Sequence, residues 1–195
     1  MTETIDFAAQ ARLVSQLAAR TADEQLDDPT PCEDYAVRHL LGHLVGLSAA
    51  FQEAARKNLG PMTSTAPGTT VPDVASGWRA ELDRNLRGMA EAWHVPEAWE
   101  GETQAGGVTL PAAIAGRFAL NELVLHGWDL ARATGQEYAP DPAALGVSYA
   151  LLTPLAESPE QGPFGRPVEV TADAPLLDQV VALGGRRPDW APPAS

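Results

Sequence analysis

The sequence predicts an all-α protein, a bundle of helices in one domain that spans residues 1–195. Four long segments repeat apolar residues three and four positions apart, the spacing of one helix face. Segments rich in Pro and Gly separate them, and no internal repeat or flexible linker divides the chain. A chain of 195 residues is long enough to bury a core without covalent cross-links. We therefore expect a bundle with short C-terminal additions.

The first two long helices are predicted over about residues 6–24 and from Thr30 or Asp34 to about residue 57. Two prolines lie between them, and proline cannot continue a helix. Residues 59–72 are rich in Gly, Pro, Ser and Thr, so we expect a surface loop there.

A third helix is predicted over about residues 72–93. From 94 to 107 the helical spacing is lost, and we expect a loop with a short strand. The fourth helix is predicted to start at Thr109 as its N-cap and to run to Thr134. Gly135 then supplies the left-handed residue that commonly ends a helix.

The C-terminal part has three shorter predicted elements. Asp141, followed by a proline, begins a fifth helix that runs to Leu155. The stretch RPVEV (166–170) is expected to form an edge strand. A last helix over 175–183, capped by Asp173, completes the chain.

The charge balance excludes two classes of partner. The chain has 13 Lys and Arg against 26 Asp and Glu, a formal net charge of −13. An acidic surface repels phosphate backbones and anionic lipid, so we expect neither nucleic acid nor a membrane as partner. The start of the chain lacks the features of a secretory signal, and the single cysteine fits a reducing compartment. A cytoplasmic monomer or homodimer is expected.

The fourth predicted helix carries polar residues in an apolar setting. Its segment FALNELVLHGWDL (118–130) is apolar nearly all round, yet Glu122 and His126 lie four apart on one face, with Asp129 three further on. An unpaired carboxylate buried there would be costly, so it needs a partner. Two interpretations stay open, a structural Glu–His pair and a pair of metal ligands.

The second predicted helix favours a metal site. It contains HLLGH, in which His43 lies on the edge of the apolar stripe and should point between helices. His43, Glu122 and His126 together would give three protein ligands and an open position, as in catalytic zinc sites. Nickel, iron or manganese suit the same donors. His39 is the competing ligand, with a solvent-flanked or outer-sphere role as its other interpretation.

Two more residues have open roles. Asp129 either fixes the tautomer of a ligating imidazole or forms an ion pair elsewhere, for example with Arg132 or Arg117. Cys32 precedes the second helix and has two interpretations. It is either a reactive thiol whose pKa is lowered by the helix N-terminus, or a small buried apolar residue. His94 lies in a loop with no predicted partner.

Three segments resemble a large actinobacterial family. TPCEDYAVRHLLGHLVG is similar to its TPC-x-x-W-x-V-x-D-L-L-x-H-L-V-G, and NELVLHGWDLARATGQ to its E-L-x-x-H-x-W-D-L-A-x-A-T-G. The ending PLLDQVVALGGRRPDW resembles L-x-x-L-x-G-R-x-P-x-W. These are the DinB-like metal-binding proteins related to mycothiol-dependent maleylpyruvate isomerase, and the resemblance covers nearly the whole chain.

The resemblance implies a ligand set and a topology. His43 matches the family's first metal ligand, and Glu122 and His126 match its E-x-x-x-H pair. The family fold is an up-down-down-up four-helix bundle, usually with zinc. Two positions depart from the family pattern, His39 in place of Asp and Tyr35 in place of Trp. The tail here is too short for the additional C-terminal domain of the isomerase, so the metal site, but not the isomerase's own substrate, is expected to carry over.

The function implied is a metal-dependent S-transferase or isomerase. It would use a low-molecular-weight thiol, mycothiol, as co-substrate and act on a small electrophilic molecule. Two alternatives stay open: a hydrolase in which the metal activates water, and a metal-containing protein that binds a small ligand without turnover.

Overall fold

The computed structural model describes residues 5–66, 68, 70–157 and 164–193, and this part of the chain is mostly helical. The main statement of the all-α prediction is therefore confirmed. In chain order the elements are α1 (Ala8–Arg20), α2 (Val37–Ala55), the short α3 (Pro61–Ser64), α4 (Trp78–Trp93), β1 (Glu102–Ala105), β2 (Val108–Pro111), α5 (Ala112–Thr134), α6 (Pro142–Ala156) and α7 (Leu176–Leu183).

The four helices that were predicted as long, α1, α2, α4 and α5, pack around one core. α1 contacts α4 and α5, and α2 contacts the same two helices from the other side. α6 packs on α5 and on α7. The largest fully buried side chains come from all four long helices and the residue before α1, and they are Trp93, Phe7, Leu17, Leu40, Leu41, Leu44, Leu82, Leu86, Met89, Leu120, Leu123 and Leu125. No helix in the described ranges has the length and apolar character needed to cross a membrane.

The first two long helices are shorter than predicted. α1 ends at Arg20 because Thr21 turns to an extended conformation, with a 3-10 turn at Asp23–Gln25 beyond it. Thr30 is not a helix cap: its hydroxyl donates to the carbonyl oxygen of Tyr35 (2.7 Å) and accepts from the N–H of Cys32 (3.1 Å). A threonine bonded to its local backbone in this way stabilises a turn instead of a helix.

The predicted third helix also begins later than expected. Residues 72–77 are not helical, and α4 starts at Trp78 after Gly77, which has a φ of 79°. Pro72 therefore lies outside the helix. The predicted loop over 59–72 contains the single helical turn of α3.

A β-hairpin precedes α5 where the sequence had predicted a helix start. β1 and β2 are antiparallel, and Thr109 pairs with Gln104 in the ladder, so its predicted N-cap role is wrong. Gly106 and Gly107, with φ of 58° and 80°, form the two-residue connection. Positive φ at both positions matches the twist of a tight hairpin. α5 itself ends at Thr134 with Gly135 at φ 68°, as predicted.

The C-terminal elements divide into right and wrong predictions. The Asp141 carboxylate accepts the N–H of Ala144 (3.0 Å) and caps α6, as expected. α7 is present, but no side chain caps it, so the Asp173 cap is wrong. Residues 166–170 form no strand. Val168 donates its N–H to the Ala182 carbonyl (2.9 Å), so this segment docks on the end of α7, where no strand edge exists to pair with.

Candidate metal centre

The packing of α2 against α5 brings the three predicted ligands together. One donor atom each of His43, Glu122 and His126 lies within 4.8 Å of the others. Oε2 of Glu122 is 3.4 Å from Nε2 of His43 and 3.1 Å from Nε2 of His126. Two donors bound at 2.0–2.1 Å to a tetrahedral ion lie about 3.3 Å apart. The spacing of these atoms therefore fits a zinc-sized ion.

The cluster is deep on α5 and more open on α2. The side chain of His126 is 9% exposed and that of Glu122 19%, whereas that of His43 is 27% exposed. The His43 and His126 rings meet edge to face, with centroids 4.9 Å apart. The His43 side is therefore the most solvent-exposed side of the cluster.

Burial and charge set the protonation of the two α5 residues. Burial alone would raise the pKa of Glu122, but hydrogen bonds with His126 and His43 outweigh it and hold the pKa well below its usual range. Burial would lower the pKa of His126, but its bonds with Asp129 and Glu122 raise it to about 9. Without a metal, the cluster is therefore a buried carboxylate–imidazolium pair. This geometry fits both interpretations of the two residues, a structural Glu–His pair and a pair of metal ligands.

Asp129 contacts His126 and also forms an ion pair. Its Oδ2 lies 3.0 Å from Nδ1 of His126, so it fixes the ring as the first interpretation predicted. Its cationic partner is neither of the two predicted arginines but Arg186, at 2.9 and 3.2 Å. Arg132 instead donates to the carbonyl of Trp190, and Arg117 is exposed. Burial by itself would raise the pKa of Asp129. The charge of Arg186 and the hydrogen bond with His126 have the larger effect, so the pKa of Asp129 is lowered.

Comparison with known proteins places the chain in a family. The family described as "Mycothiol maleylpyruvate isomerase N-terminal domain" matches residues 7–131, well over half of the chain. The chain belongs to this family. The match contains His43, Glu122, His126 and Asp129, and it ends before Arg186.

Individual relatives are distant. An uncharacterised protein found in two strains of Mycobacterium tuberculosis is 26% identical over 174 residues, which cover 87% of this chain and 90% of that protein. Glutamate–tRNA ligase 2 of Xanthobacter autotrophicus is 35% identical over 133 residues. The match covers 68% of this chain but only 27% of the ligase.

Two solved structures share the fold. They are mycothiol-dependent maleylpyruvate isomerase and a variant of it, with TM-scores of 0.55 and 0.54 and sequence identities of 18% and 17%. Each match covers 75% of this chain and 66% of the isomerase chain, so about a third of the isomerase lies outside it.

The two departures from the family pattern lie side by side. His39 is outside the ligand cluster: its Nδ1 accepts the N–H of Ala36 (3.2 Å) and so satisfies a free donor of the first turn of α2. Tyr35, in place of the family's Trp, has its ring 5.6 Å from the His43 ring. Tyr35 therefore borders the open side of the cluster, and the geometry favours His43 over His39 as ligand.

Cys32 does not have the lowered pKa that its position suggested. α2 begins only at Val37, five residues later, so its N-terminus is not at the thiol. Burial, with the nearby charge of Asp129, raises the pKa of Cys32 to about 11. The thiol is therefore protonated at neutral pH. His94 lies exposed at the end of α4 and has no part in the cluster.

Proposed function

We propose that this member of the family is a metal-dependent enzyme that uses mycothiol to transfer or isomerise a small electrophilic molecule. The observation that carries the proposal is the convergence of His43, Glu122 and His126 inside a domain of the mycothiol isomerase family. The family membership supports a mycothiol-related, isomerase-like function. The metal, the reaction and the substrate are the proposed part.

The donor set fits a divalent ion. Two imidazole nitrogens and one carboxylate oxygen are typical ligands of catalytic zinc, and they equally suit nickel, iron or manganese. The short distances from Oε2 of Glu122 to both ring nitrogens support this assignment, since the three donor atoms converge as the ligands of one ion do.

The protein residues would hold the ion and leave one face open. Asp129 accepts a hydrogen bond from Nδ1 of His126. The other ring nitrogen, Nε2, faces Glu122 and is the atom that would bind the ion. Three protein ligands leave room for a substrate atom, here on the more exposed His43 side. When bound, the ion would supply a positive charge that keeps a thiol sulfur ionised near neutral pH.

We infer that the thiol comes from a small molecule, because the sulfur of Cys32 is not among the clustered donor atoms. Cys32 is protonated at neutral pH because of its raised pKa, so its sulfur is a poor nucleophile there. A free low-molecular-weight thiol can instead enter from the open side of the cluster. This argument supports mycothiol as the co-substrate, in agreement with the family.

We also infer the finer topology from the packing. The contacts of α1 with α4 and α5, and of α2 with the same pair, are those of four helices in a bundle, and we infer the up-down-down-up order from the resemblance to DinB-like proteins. A single domain over residues 1–195 and a cytoplasmic location remain predictions from the sequence.

The proposal is tested by thiol conjugation. Zinc-loaded protein is incubated with mycothiol and either maleylpyruvate or monobromobimane, beside Glu122→Gln protein and a chelated sample. We expect acceleration only with zinc and mycothiol together. Consumption of an ester or amide substrate without mycothiol would favour the hydrolase, and bound ligand with no turnover would favour a binding protein.

A further inference from the structure

Arg186 lies after α7, beyond residues 7–131 of the family match, in the closing segment that resembles G-R-x-P-x-W, and its side chain reaches the candidate metal centre. The side chain is 9% exposed and makes three hydrogen bonds. Nη2 donates to Oδ2 of Asp129 (2.9 Å), Nε donates to Oδ1 (3.2 Å), and Nη1 donates to the carbonyl of Gly184 (2.6 Å). These bonds fix the guanidinium, which binds both carboxylate oxygens of Asp129 in a bidentate ion pair.

Asp129 bonds both to Arg186 and to His126, one of the proposed metal ligands. Its carboxylate is fully buried, and the oxygen that binds Nη2 of Arg186 is also the one 3.0 Å from Nδ1 of His126. A buried carboxylate must be compensated, and among the described residues Arg186 is the guanidinium that does so. Three side chains thus connect the C-terminal segment to the cluster: Arg186, Asp129 and His126.

Two glycines pack this segment closely against its neighbours, Gly184 against α5 and Gly185 against Gly165. A Cβ on Gly184 would lie 2.8 Å from Cδ1 of Leu125, one turn before Asp129. Gly185 has a φ of 83°, and a Cβ there would lie 2.7 Å from Cα of Gly165. A larger residue at 184 would have to displace the Leu125 side chain, and one at 185 would clash with the backbone of Gly165. The local sequence is therefore suited to placing Arg186 beside Asp129.

We propose that Arg186 is a positioning residue of the metal centre, which acts through Asp129 to fix the ring orientation and tautomer of His126. The inference rests on the proposed function, since His126 is a ligand only if the centre binds metal. A carboxylate held at both oxygens cannot rotate away from Nδ1, so Nε2 stays directed toward Glu122. The segment after α7 is then part of the metal centre and not only of the fold.

The test measures zinc affinity and the visible spectrum of the cobalt-substituted protein. The variants are Arg186→Met, Arg186→Lys, Asp129→Asn and the double variant Asp129→Asn with Arg186→Met. Arg132→Met is the matched control, because Arg132 also ties the C-terminal segment to α5 but bonds to the Trp190 carbonyl. Circular dichroism checks that each variant folds.

We expect Arg186→Met to weaken zinc binding roughly 10- to 100-fold and to shift the cobalt spectrum, as loss of an outer partner of a ligating histidine does. Arg186→Lys should weaken zinc binding less than Arg186→Met does, because lysine keeps the positive charge but cannot make the bidentate contact with Asp129. Arg132→Met should match the wild-type protein. In the Asp129→Asn background, Arg186→Met should have no further effect on affinity.

Several results would overturn the inference. These are wild-type affinity and spectrum in Arg186→Met, an equal loss in Arg132→Met, or a further loss in the double variant. If Arg186→Met does not fold, Arg186→Lys decides, and wild-type behaviour there counts against the role. A wild-type protein that binds none of zinc, nickel, iron and manganese would refute the metal centre itself, and the inference with it. Zinc binding that is indifferent to Arg186 refutes the inference alone.

Discussion

His126 and Asp129 lie one turn apart on α5, and Nδ1 of the histidine is 3.0 Å from Oδ2 of the aspartate. This contact decides which ring nitrogen is free. With Nδ1 occupied, Nε2 is the atom that lies 3.1 Å from Glu122 and that a metal ion would bind. The polar face of α5 thus combines two ligand positions with the residue that orients one of them.

The first prediction concerns metal content. We expect purified wild-type protein to carry close to one divalent ion per chain, removable by a chelator, because His43, Glu122 and His126 are spaced for one ion. Glu122→Ala and His126→Ala should lose it. His39→Ala should keep most of it and lose only the bond from the Ala36 N–H, about 1 kcal/mol of stability.

Elemental analysis after gel filtration measures this content, and thermal unfolding measures the stability. An empty site in His39→Ala, together with a filled site in His43→Ala, would show that the α2 ligand is assigned to the wrong histidine.

The second prediction is the pH dependence of the metal-free protein. The pKa of His126 is about 9 in the folded chain against 6.5 ordinarily, so folding favours the protonated ring. Its contribution to the free energy of unfolding is complete below about pH 6.5 and is lost as pH rises through about 9. The melting temperature of the chelated wild-type protein should therefore fall between pH 7 and pH 10. His126→Gln, which has no such proton, should lose less, and equal losses would contradict the assignment.

The third prediction concerns Cys32. With a pKa of about 11, only a small fraction of the thiol is ionised at pH 8. We expect iodoacetamide to react with the folded protein on the order of 100-fold more slowly than with the urea-unfolded chain. The rate for the folded protein should still rise at pH 10, where the rate for the unfolded chain levels off. Mass spectrometry of the alkylated peptide measures both rates, and equal rates at pH 8 would show that the thiol is not protected.

The fourth prediction compares two glycines on α2. A Cβ on Gly42 would lie 2.7 Å from the backbone of Asp73, whereas a Cβ on Gly46 meets nothing within 4 Å. Gly42→Ala should therefore cost about 1–3 kcal/mol of stability, since neighbouring backbone must move. Gly46→Ala should stabilise the helix by about 0.5–1 kcal/mol. Urea unfolding measures both, and a stabilised Gly42→Ala would mean that the segment before α4 does not lie on α2.

The sequence was informative where the signal is local. The Asp141 cap, the Gly135 stop and the alignment of Glu122 with His126 each depend on residues within one helical turn. The short strand expected within residues 94–107 is β1. Its partner β2 was missed although Gly106–Gly107 is a typical two-residue turn, because the residues after the turn also suit a helix start. Arg186 was missed for another reason: it lies 57 positions from Asp129, and no local pattern pairs them.

The last prediction tests the open coordination position. Three protein ligands leave room for a thiol sulfur, and the exposure of His43 shows the side from which it would enter. Cobalt in place of zinc makes binding visible, because a thiolate bound to cobalt gives an intense near-ultraviolet charge-transfer band. Adding mycothiol, or a short cysteine-containing analogue, should produce this band and release about one proton per thiol bound.

The Cys32→Ser variant separates the two sources of sulfur in this experiment. It should give the same band, since the thiol of Cys32 is protonated at neutral pH and is not one of the clustered donors. A band that appears without added thiol and vanishes in Cys32→Ser would mean that the protein supplies the sulfur. A cobalt spectrum unchanged by millimolar mycothiol would count against the transferase and isomerase proposal. The open position would then be assigned to water, as a hydrolase requires, or to a ligand that is bound without turnover.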